Sequence, residues 1–350
     1  MRGTPVTHPL RIGTLGAARI TPNALIHPAR AIGGVAITAV AARDRKRAEQ
    51  FADAHSINTV HLDYASVIAD PNLDLIYNPL PIDQHAAWTI AALEAGKSVL
   101  CEKPFAMNAV EVRAMLAAAQ TSGKRLIEAF HYRYHPAFET CLRWVQEGQI
   151  GKLQSLQAIF NVTIRDDGKE IRHRPENGGG AMMDLGCYPV SWVLSLVNAA
   201  PINIAAEATL TRSGVDERLS GVLQFEDGVS ATVSADMGPG VQTRAALTVS
   251  GSEGEIVFIN PLAPHMGASL VLKRKGRAEQ HARISPITTY THQLAAVVHA
   301  LNTDAGPLPT ESSDVLIRQQ ETLDALYAAA GLAHLRQTPP AKLRDGRTEA

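Results

Sequence analysis

A lysine follows a short apolar run at Val99-Leu100-Cys101-Glu102-Lys103-Pro104-Phe105. Far downstream, Gly178-Gly179-Gly180 leads into Ala181-Met182-Met183-Asp184-Leu185-Gly186-Cys187-Tyr188-Pro189. Asp184 and Tyr188 are four apart and share one face of a helix. A carboxylate and a phenol on one face suit hydroxyl chemistry, because oxidising an alcohol requires a hydride to leave carbon while a base removes the hydroxyl proton. An unperturbed tyrosine titrates near about 10, so a cation such as Lys103 beside Tyr188 would favour its ionised form. Asp184 would then fix the substrate hydroxyls. Lys103, at the end of a strand, can stabilise a developing alkoxide or lower the pKa of a neighbouring acid. Pro104 stiffens the turn that carries it, in the trans or the cis form. The glycines let the backbone pass close to a ligand. Without further context the same residues also describe a surface lysine and a capped core helix.

A second cluster opens the chain. Gly13-Thr14-Leu15-Gly16-Ala17-Ala18-Arg19-Ile20-Thr21 follows a first apolar run and precedes a helical pattern. Glycines there allow a tight turn and close approach to a pyrophosphate, whose charge rests on the helix N-terminus. Read from Gly16, the fingerprint keeps its first glycine and has Ala18 and Thr21 in place of the other two. The next strand ends Ala41-Ala42-Arg43-Asp44. An NAD-binding domain usually places an acidic residue at this tip to hold the ribose hydroxyls. The small Ala42 leaves room for a 2′-phosphate, and the Arg43 guanidinium can bind it through two hydrogen bonds. These residues favour NADP(H), while a shift of one residue to Asp44 would restore NAD.

Residues so far apart must be positioned by the elements between them. Residues 11–15, 36–41, 73–77, 98–101 and 126–129 read as strands, and 45–55, 85–95 and 109–122 as helices. That alternation predicts an α/β Rossmann domain over 1–129, with a parallel sheet and ligands at the carboxyl ends of its strands. From Phe130 the pattern changes. Helices over 136–147 and 180–197 accompany successive strands at 153–164, 205–210, 219–225, 230–236, 245–250 and 255–259. This predicts an α+β domain over 130–335 with a large, mostly antiparallel open sheet. Two last helices, 290–301 and 313–330, can pack back on the first domain, and the Pro- and charge-rich tail 336–350 is expected to be poorly ordered.

The composition is ordinary for a globular chain, with 45% hydrophobic residues, 19% charged residues and a net charge of -1. It gives no electrostatic reason to expect nucleic acid or a membrane surface as partner, and Lys273-Arg274-Lys275 reads as a solvated turn or edge. No apolar run approaches the roughly 20 residues that span a bilayer. Met1 to Leu10 lacks the apolar core of a secretory signal, which points to the cytoplasm. Cys101, Cys141 and Cys187 stand far apart, as buried thiols rather than a disulfide framework or metal site. No metal is expected.

Glu102-Lys103-Pro104 together with the Gly178–Tyr188 motif, behind a Rossmann half, is similar to the glucose-fructose oxidoreductase, inositol dehydrogenase and rhizopine-catabolism (Gfo/Idh/MocA) family. The resemblance runs from Leu10 to Leu332. Tyr188, where many members carry histidine, and Ala41-Ala42-Arg43 resemble the NADP-using xylose dehydrogenase and dihydrodiol dehydrogenase-like branch. The resemblance implies that Lys103 and Tyr188 act in proton transfer and that Asp184 orients the substrate. It implies cofactor contacts at Gly13, Leu15, Gly16, Ala17, Ala18, Arg19, Ile20, Ala42, Arg43, Glu102 and Lys103. Asn78, Pro79, Leu80 and His85 fall where the family contacts the nicotinamide ribose.

The segment Glu128–Pro136 resembles one that reaches the active site from the domain junction, so Tyr132 and Arg133 are expected either to contact the substrate or to pack as a hinge. Arg165, Arg172, His173 and Arg174 either line the substrate side or form a solvated loop. The implied activity is hydride transfer between NADP(H) and a secondary hydroxyl or carbonyl of a sugar or cyclic polyol, in a homodimer or homotetramer built through the open sheet. The alternatives are a dihydrodiol dehydrogenase-like or carboxylated-substrate oxidoreductase and, from another class, an NADP-sensing regulator. A regulator is expected to lose the lysine or the tyrosine, and both are present.

Overall fold

The computed structural model describes residues 9–303 and 305–337. Most of the N-terminal segment and of the tail considered above lies outside the described residues. Six short strands form the first sheet: β1 (Leu10–Leu15), β2 (Val35–Ala41), β3 (Thr59–Val60), β4 (Leu75–Asn78), β5 (Ser98–Cys101) and β6 (Leu126–Glu128). They pair in the order β3-β2-β1-β4-β5-β6, and every pairing is parallel. Winding reverses between β1 and β4, which places the ligand crevice at their carboxyl ends. The central strands are covered on both faces, so they read as continuous apolar runs rather than alternating ones.

Helices α1 (His27–Ile32), α2 (Arg45–His55), α3 (Tyr64–Ala69), α4 (His85–Glu94) and α5 (Ala109–Ser122) return the chain between strands. A π-helical turn, Pro22–Ile26, leads into α1. Asp44, Asp63 and Asn108 start α2, α3 and α5 by accepting the backbone N–H of Arg47, Ser66 and Glu111, the interaction that makes such residues preferred N-caps.

The second layer begins with α6 (Pro136–Gln146) and β7 (Leu153–Asn161) and continues through α7 (Cys187–Val197) to β8 (Asn203–Leu210), β9 (Asp216–Gln224), β10 (Ser230–Asp236), β11 (Arg244–Gly251), β12 (Gly254–Ile259), β13 (Ser269–Arg274) and β14 (Gln280–His281). Their order is β14-β13-β12-β11-β7-β10-β9-β8. All pairings are antiparallel except β7 with β10. Lys273 and Arg274 end β13, one strand in from the edge formed by β14.

Helix α8 (Thr289–Asn302) lays Leu294 and Val297 against Leu10, Ile12 and Tyr77 of the first sheet. Helix α9 (Ser313–Ala329) is shared: Leu316 joins the core around Val99 and Val112, whereas Leu323, Leu326 and Tyr327 join the core of the second layer.

Two sequence expectations are corrected here. The stretch Pro175–Val197 is long and apolar enough to cross a membrane by length and composition, but 83% of its most apolar window is buried inside the protein. It runs into the central helix of the second layer, where Val190, Trp192 and Val193 contribute to the core. Arg336, expected to begin a loose tail, is buried, with Nε 2.9 Å from Asp324 Oδ1.

The glycine turn before this helix is held from below. Asp216, buried at the start of β9, accepts Met182 N–H at 2.7 Å and the Tyr327 hydroxyl at 2.7 Å. Gly180 has φ +124° against this carboxylate, and a Cβ there would overlap Asp216 Oδ1 and meet the Tyr327 hydroxyl at 2.8 Å. Gly180→Ala is therefore expected to destabilise the protein by about 2–4 kcal/mol. Gly214→Ala, at a positive φ in open space, is expected to cost about 1–2 kcal/mol. Urea denaturation of both variants checks the difference.

Candidate active site

Strand β5 delivers Lys103 to the carboxyl edge of the first sheet, where the Lys103–Pro104 peptide is cis. Its Nζ lies 2.8 Å from the Asp184 carbonyl oxygen and 3.1 Å from Asp184 Oδ1. The other carboxylate oxygen, Oδ2, accepts from Arg172 Nε at 2.7 Å. Arg172 Nη1 is 2.9 Å from Glu170 Oε1, and Glu170 Oε2 is 3.6 Å from the exposed Arg19 of the β1 loop. A chain of alternating charge thus runs from the first-sheet loops to the second layer.

Burial pushes the Asp184 carboxyl up, but Lys103 and Arg172 together hold it down to about 2. Burial opposes the Lys103 charge, yet Asp184, with Cys187 and Glu102 behind it, carries the net shift upward. Both groups are therefore ionised near neutral pH.

Asp184 sits in a π-helical turn, Met182–Gly186, that runs directly into α7. Such turns often mark functional positions, because they re-aim side chains within a helix. Tyr188, in the first turn of α7, shows its ring to Lys103, with Nζ 4.8 Å from the ring centroid. Phe130, Tyr132, Phe160 and Trp192 surround that ring. The phenol oxygen lies 3.2 Å from His131 Nε2.

Burial, reinforced by Tyr290, raises the Tyr188 phenol well above its ordinary range. The expectation that Lys103 would ionise Tyr188 is thus corrected. The ammonium donates to Asp184 and faces the ring, and desolvation keeps the phenol neutral.

At the cofactor end, Gly13 is a packing residue within β1: a Cβ there would stand 2.5 Å from Leu73 Cδ1 and 2.8 Å from Val67 Cγ1. Leu15 is buried. The chain turns at Gly16, φ +89°, whose N–H donates to Ala41 O at 2.7 Å. Among the described residues, the backbone N–H groups of Ala17, Ala18, Arg19 and Ile20 make no hydrogen bond. Four such donors at one turn fit an anionic pyrophosphate. Arg47, which sequence reasoning missed, holds the turn from α2 by donating to Ala17 O at 2.7 Å. At the tip of β2, Ala42 is buried and Arg43 exposed. Asp44 accepts Arg47 N–H as the cap of α2, so Arg43 is the side chain that extends beyond the strand.

Other expected contacts turn inward. Asn78 donates to His85 O and Thr89 Oγ1, and its Oδ1 accepts Leu80 N–H. His85 bridges Leu80 O at 2.7 Å and Pro104 O at 3.0 Å. Both side chains brace the loop, which leaves the half-buried Pro79 and Leu80 on its outer side. Glu102 lies beneath Lys103 and accepts the Tyr77 hydroxyl at 2.7 Å.

Tyr132 is fully buried and donates to Ser191 Oγ at 2.7 Å, so it supports the Tyr188 ring and has no surface to offer a substrate. Arg133 is half-buried and is the main charge opposing the upward shift of Glu128. Of the four basic residues from Arg165 to Arg174, only Arg172 reaches Asp184. His173 bonds Ile164 O, Arg174 bonds Gly168 O, and Arg165 is exposed. His131 was also missed. The aromatic run flagged its segment, but spacing alone does not tell which of the neighbouring rings meets Tyr188.

Burial pushes Glu128, at the end of β6, up to about 8 against the opposing pull of Arg133. For a carboxyl whose folded pKa is raised, the contribution to stability is complete below its unfolded pKa and is lost as pH rises through the folded one. Glu128→Gln removes that titration. The variant is expected to gain on the parent between about pH 5 and 8, by up to about 4 kcal/mol, as read by urea denaturation across that range.

Comparison with known proteins identifies the family. Residues 10–130 match the oxidoreductase family with an NAD-binding Rossmann fold, and residues 138–257 match the GFO/IDH/MocA C-terminal domain. D-xylose 1-dehydrogenase (NADP(+)) 2 of Haloferax volcanii is 34% identical over 325 residues, 92% of this chain and 97% of that protein. Trans-1,2-dihydrobenzene-1,2-diol dehydrogenase of Mus musculus is 35% identical over 224 residues, 62% of this chain and 65% of that protein. Among solved structures, a 3-ketoreductase from Actinomadura kijaniata in complex with NADP and TDP-benzene superposes with TM-score 0.83 at 25% identity, covering 92% of this chain and 98% of that one. With a matching family description over each layer and a full-length relative, the chain belongs to the Gfo/Idh/MocA family of NAD(P)-dependent oxidoreductases.

Proposed function

We propose that this protein is an NADP(H)-dependent oxidoreductase acting on a secondary hydroxyl or carbonyl of a sugar or cyclic polyol. The observation that carries the reading is Lys103, which touches Asp184 and faces Tyr188 at the ligand-binding edge of a Rossmann sheet. In this reading the four free N–H groups of Ala17 to Ile20 receive the pyrophosphate, and Arg43 takes the 2′-phosphate. When bound, the dinucleotide supplies the hydride acceptor or donor.

The remaining chemistry belongs to side chains. Lys103, positively charged, stabilises negative charge on the substrate oxygen in the transition state. Tyr188, a neutral phenol, relays the hydroxyl proton: in oxidation its oxygen takes that proton as its own leaves, and in reduction the transfer runs in reverse. Asp184, aligned by Lys103 and Arg172, orients the substrate hydroxyls. The names of the xylose dehydrogenase and the 3-ketoreductase support carbohydrate-like substrates and NADP.

The test follows nicotinamide absorbance with NADP+ and NAD+ against aldoses, inositols and cyclic diols. Turnover is expected to prefer NADP+ and to fall at least about 100-fold in Lys103→Met. Arg43→Ala is expected to lose most of the preference for NADP+ with little change for NAD+. Silence across the panel despite tight NADP(H) binding would overturn the proposed substrate class. Turnover undiminished in Lys103→Met would overturn the assigned roles.

A further inference from the structure

The Tyr188 hydroxyl does not face Lys103. Its partner among the described residues is His131, whose Nε2 lies 3.2 Å from the phenol oxygen. The other ring nitrogen, Nδ1, lies 2.7 Å from Thr289 Oγ1 at the start of α8. The imidazole rests on Tyr290, with centroids 4.0 Å apart and planes 37° apart. His131 itself is 3% exposed. Three elements therefore meet at this ring: the turn between β6 and α6, the first turn of α7, and the N-terminus of α8. A buried imidazole with both nitrogens engaged and one face stacked is held in a single orientation.

We infer that His131 is the proton partner of Tyr188, accepting the phenol proton at Nε2 as the phenol oxygen takes the proton of the substrate hydroxyl. The inference rests on the oxidoreductase reading above and adds to it the destination of the proton. The step balances. The substrate O–H and C–H bonds break and C=O forms. The C–H electron pair leaves with its hydrogen to the oxidised dinucleotide, and one proton arrives on His131. Reduction runs the same path backwards.

The neighbouring groups leave few other acceptors. Lys103 is charged and donates to Asp184. Asp184 is bound on both oxygens by Lys103 and Arg172 and is not bonded to the phenol. Glu102 is engaged by the Tyr77 hydroxyl. The groups facing His131 are Tyr188, Thr289, Tyr290, Lys103 and His265. Burial, then the charge of Lys103 and the proximity of His265, push the imidazole down to about 3. It therefore stands neutral with Nε2 unprotonated, and because burial and Lys103 oppose the charged imidazole the proton is held there only in transit. With Nδ1–H donated to Thr289 Oγ1, the Nε2 lone pair is left for the phenol.

The test uses the full chain, with the substrate that the panel identifies. His131→Gln keeps a hydrogen-bonding side chain but cannot carry a proton. It is expected to lower kcat about 100-fold, with KM and NADP(H) binding within about twofold of the parent, a split that a loosened fold would not give. A kcat within about threefold of the parent, or a loss carried by KM, would overturn the inference while leaving the proposed function intact. A second measurement needs no turnover: nitrogen-15 NMR of histidine-labelled protein. The expected result is a neutral Nδ1–H tautomer for His131 whose Nε2 resonance moves in Tyr188→Phe. An Nε2–H tautomer, or a resonance indifferent to Tyr188→Phe, would overturn the inference even if the enzyme's substrate were never found.

Discussion

The site depends on one buried carboxylate. Asp184 has Lys103 on one oxygen and Arg172 on the other, and removing such a charge from water is tolerable only because both oxygens are matched. The pairing does more than neutralise. Lys103 comes from the end of a parallel strand, Asp184 from a π-helical turn, and Arg172 from the loop before the glycines. A single side chain therefore fixes the relative position of three segments that share no secondary structure. It also leaves the Lys103 ammonium over the face of Tyr188 rather than at its hydroxyl, which sets the division of labour among the polar groups.

The support beneath Asp184 follows the same logic. The turn from Gly178 to Gly180 has to come down onto the second layer closely enough for Met182 N–H to reach Asp216. A Cβ on Gly180 would overlap that carboxylate, and one on Gly179 would meet the Arg172 and Arg174 carbonyls. Asp216 is held in turn by Tyr327 of α9. Burial lifts Asp216 to about 6, while its counterpart in the site, with two cations beside it, is held near 2. Two buried aspartates with opposite shifts show that partners, rather than depth, decide the charge.

Much of this was legible in the sequence, and the limits have physical causes. The strand–helix alternation gave the Rossmann order, and residues 45–55 and 109–122 matched α2 and α5 to the residue, because Asp44 and Asn108 are side-chain caps with a clear signature. Strand β3, with two residues, is too short for any period to register. Strand β13 buries Leu270, Val271 and Leu272 in succession and ends in charge, so it lacks the alternation that marks a half-buried strand. At the site, Lys103, Asp184 and Tyr188 were visible from spacing and resemblance. Arg172 was named only as one of four basic loop residues and His131 was not singled out, because their contacts are made only when the chain returns across the junction between the layers. The ionisation of Tyr188 was misread for a related reason. The rings that desolvate it come from Phe130, Phe160 and Trp192, and no local pattern links them.

Helix α9 carries a mechanical implication. Its first turn is anchored by Leu316 in one core and its later turns by Leu323, Leu326 and Tyr327 in the other. The two layers therefore cannot separate by translation without tearing apolar surface from both. Any widening of the cleft has to be a rotation that keeps α9 seated, like a jaw on its pivot. Arg19 of the β1 loop and Glu170 also meet across the two layers, 3.6 Å apart, with Arg19 exposed and Glu170 largely buried. A 3.6 Å pair with one exposed partner adds little beside the apolar surface that α9 buries in both cores.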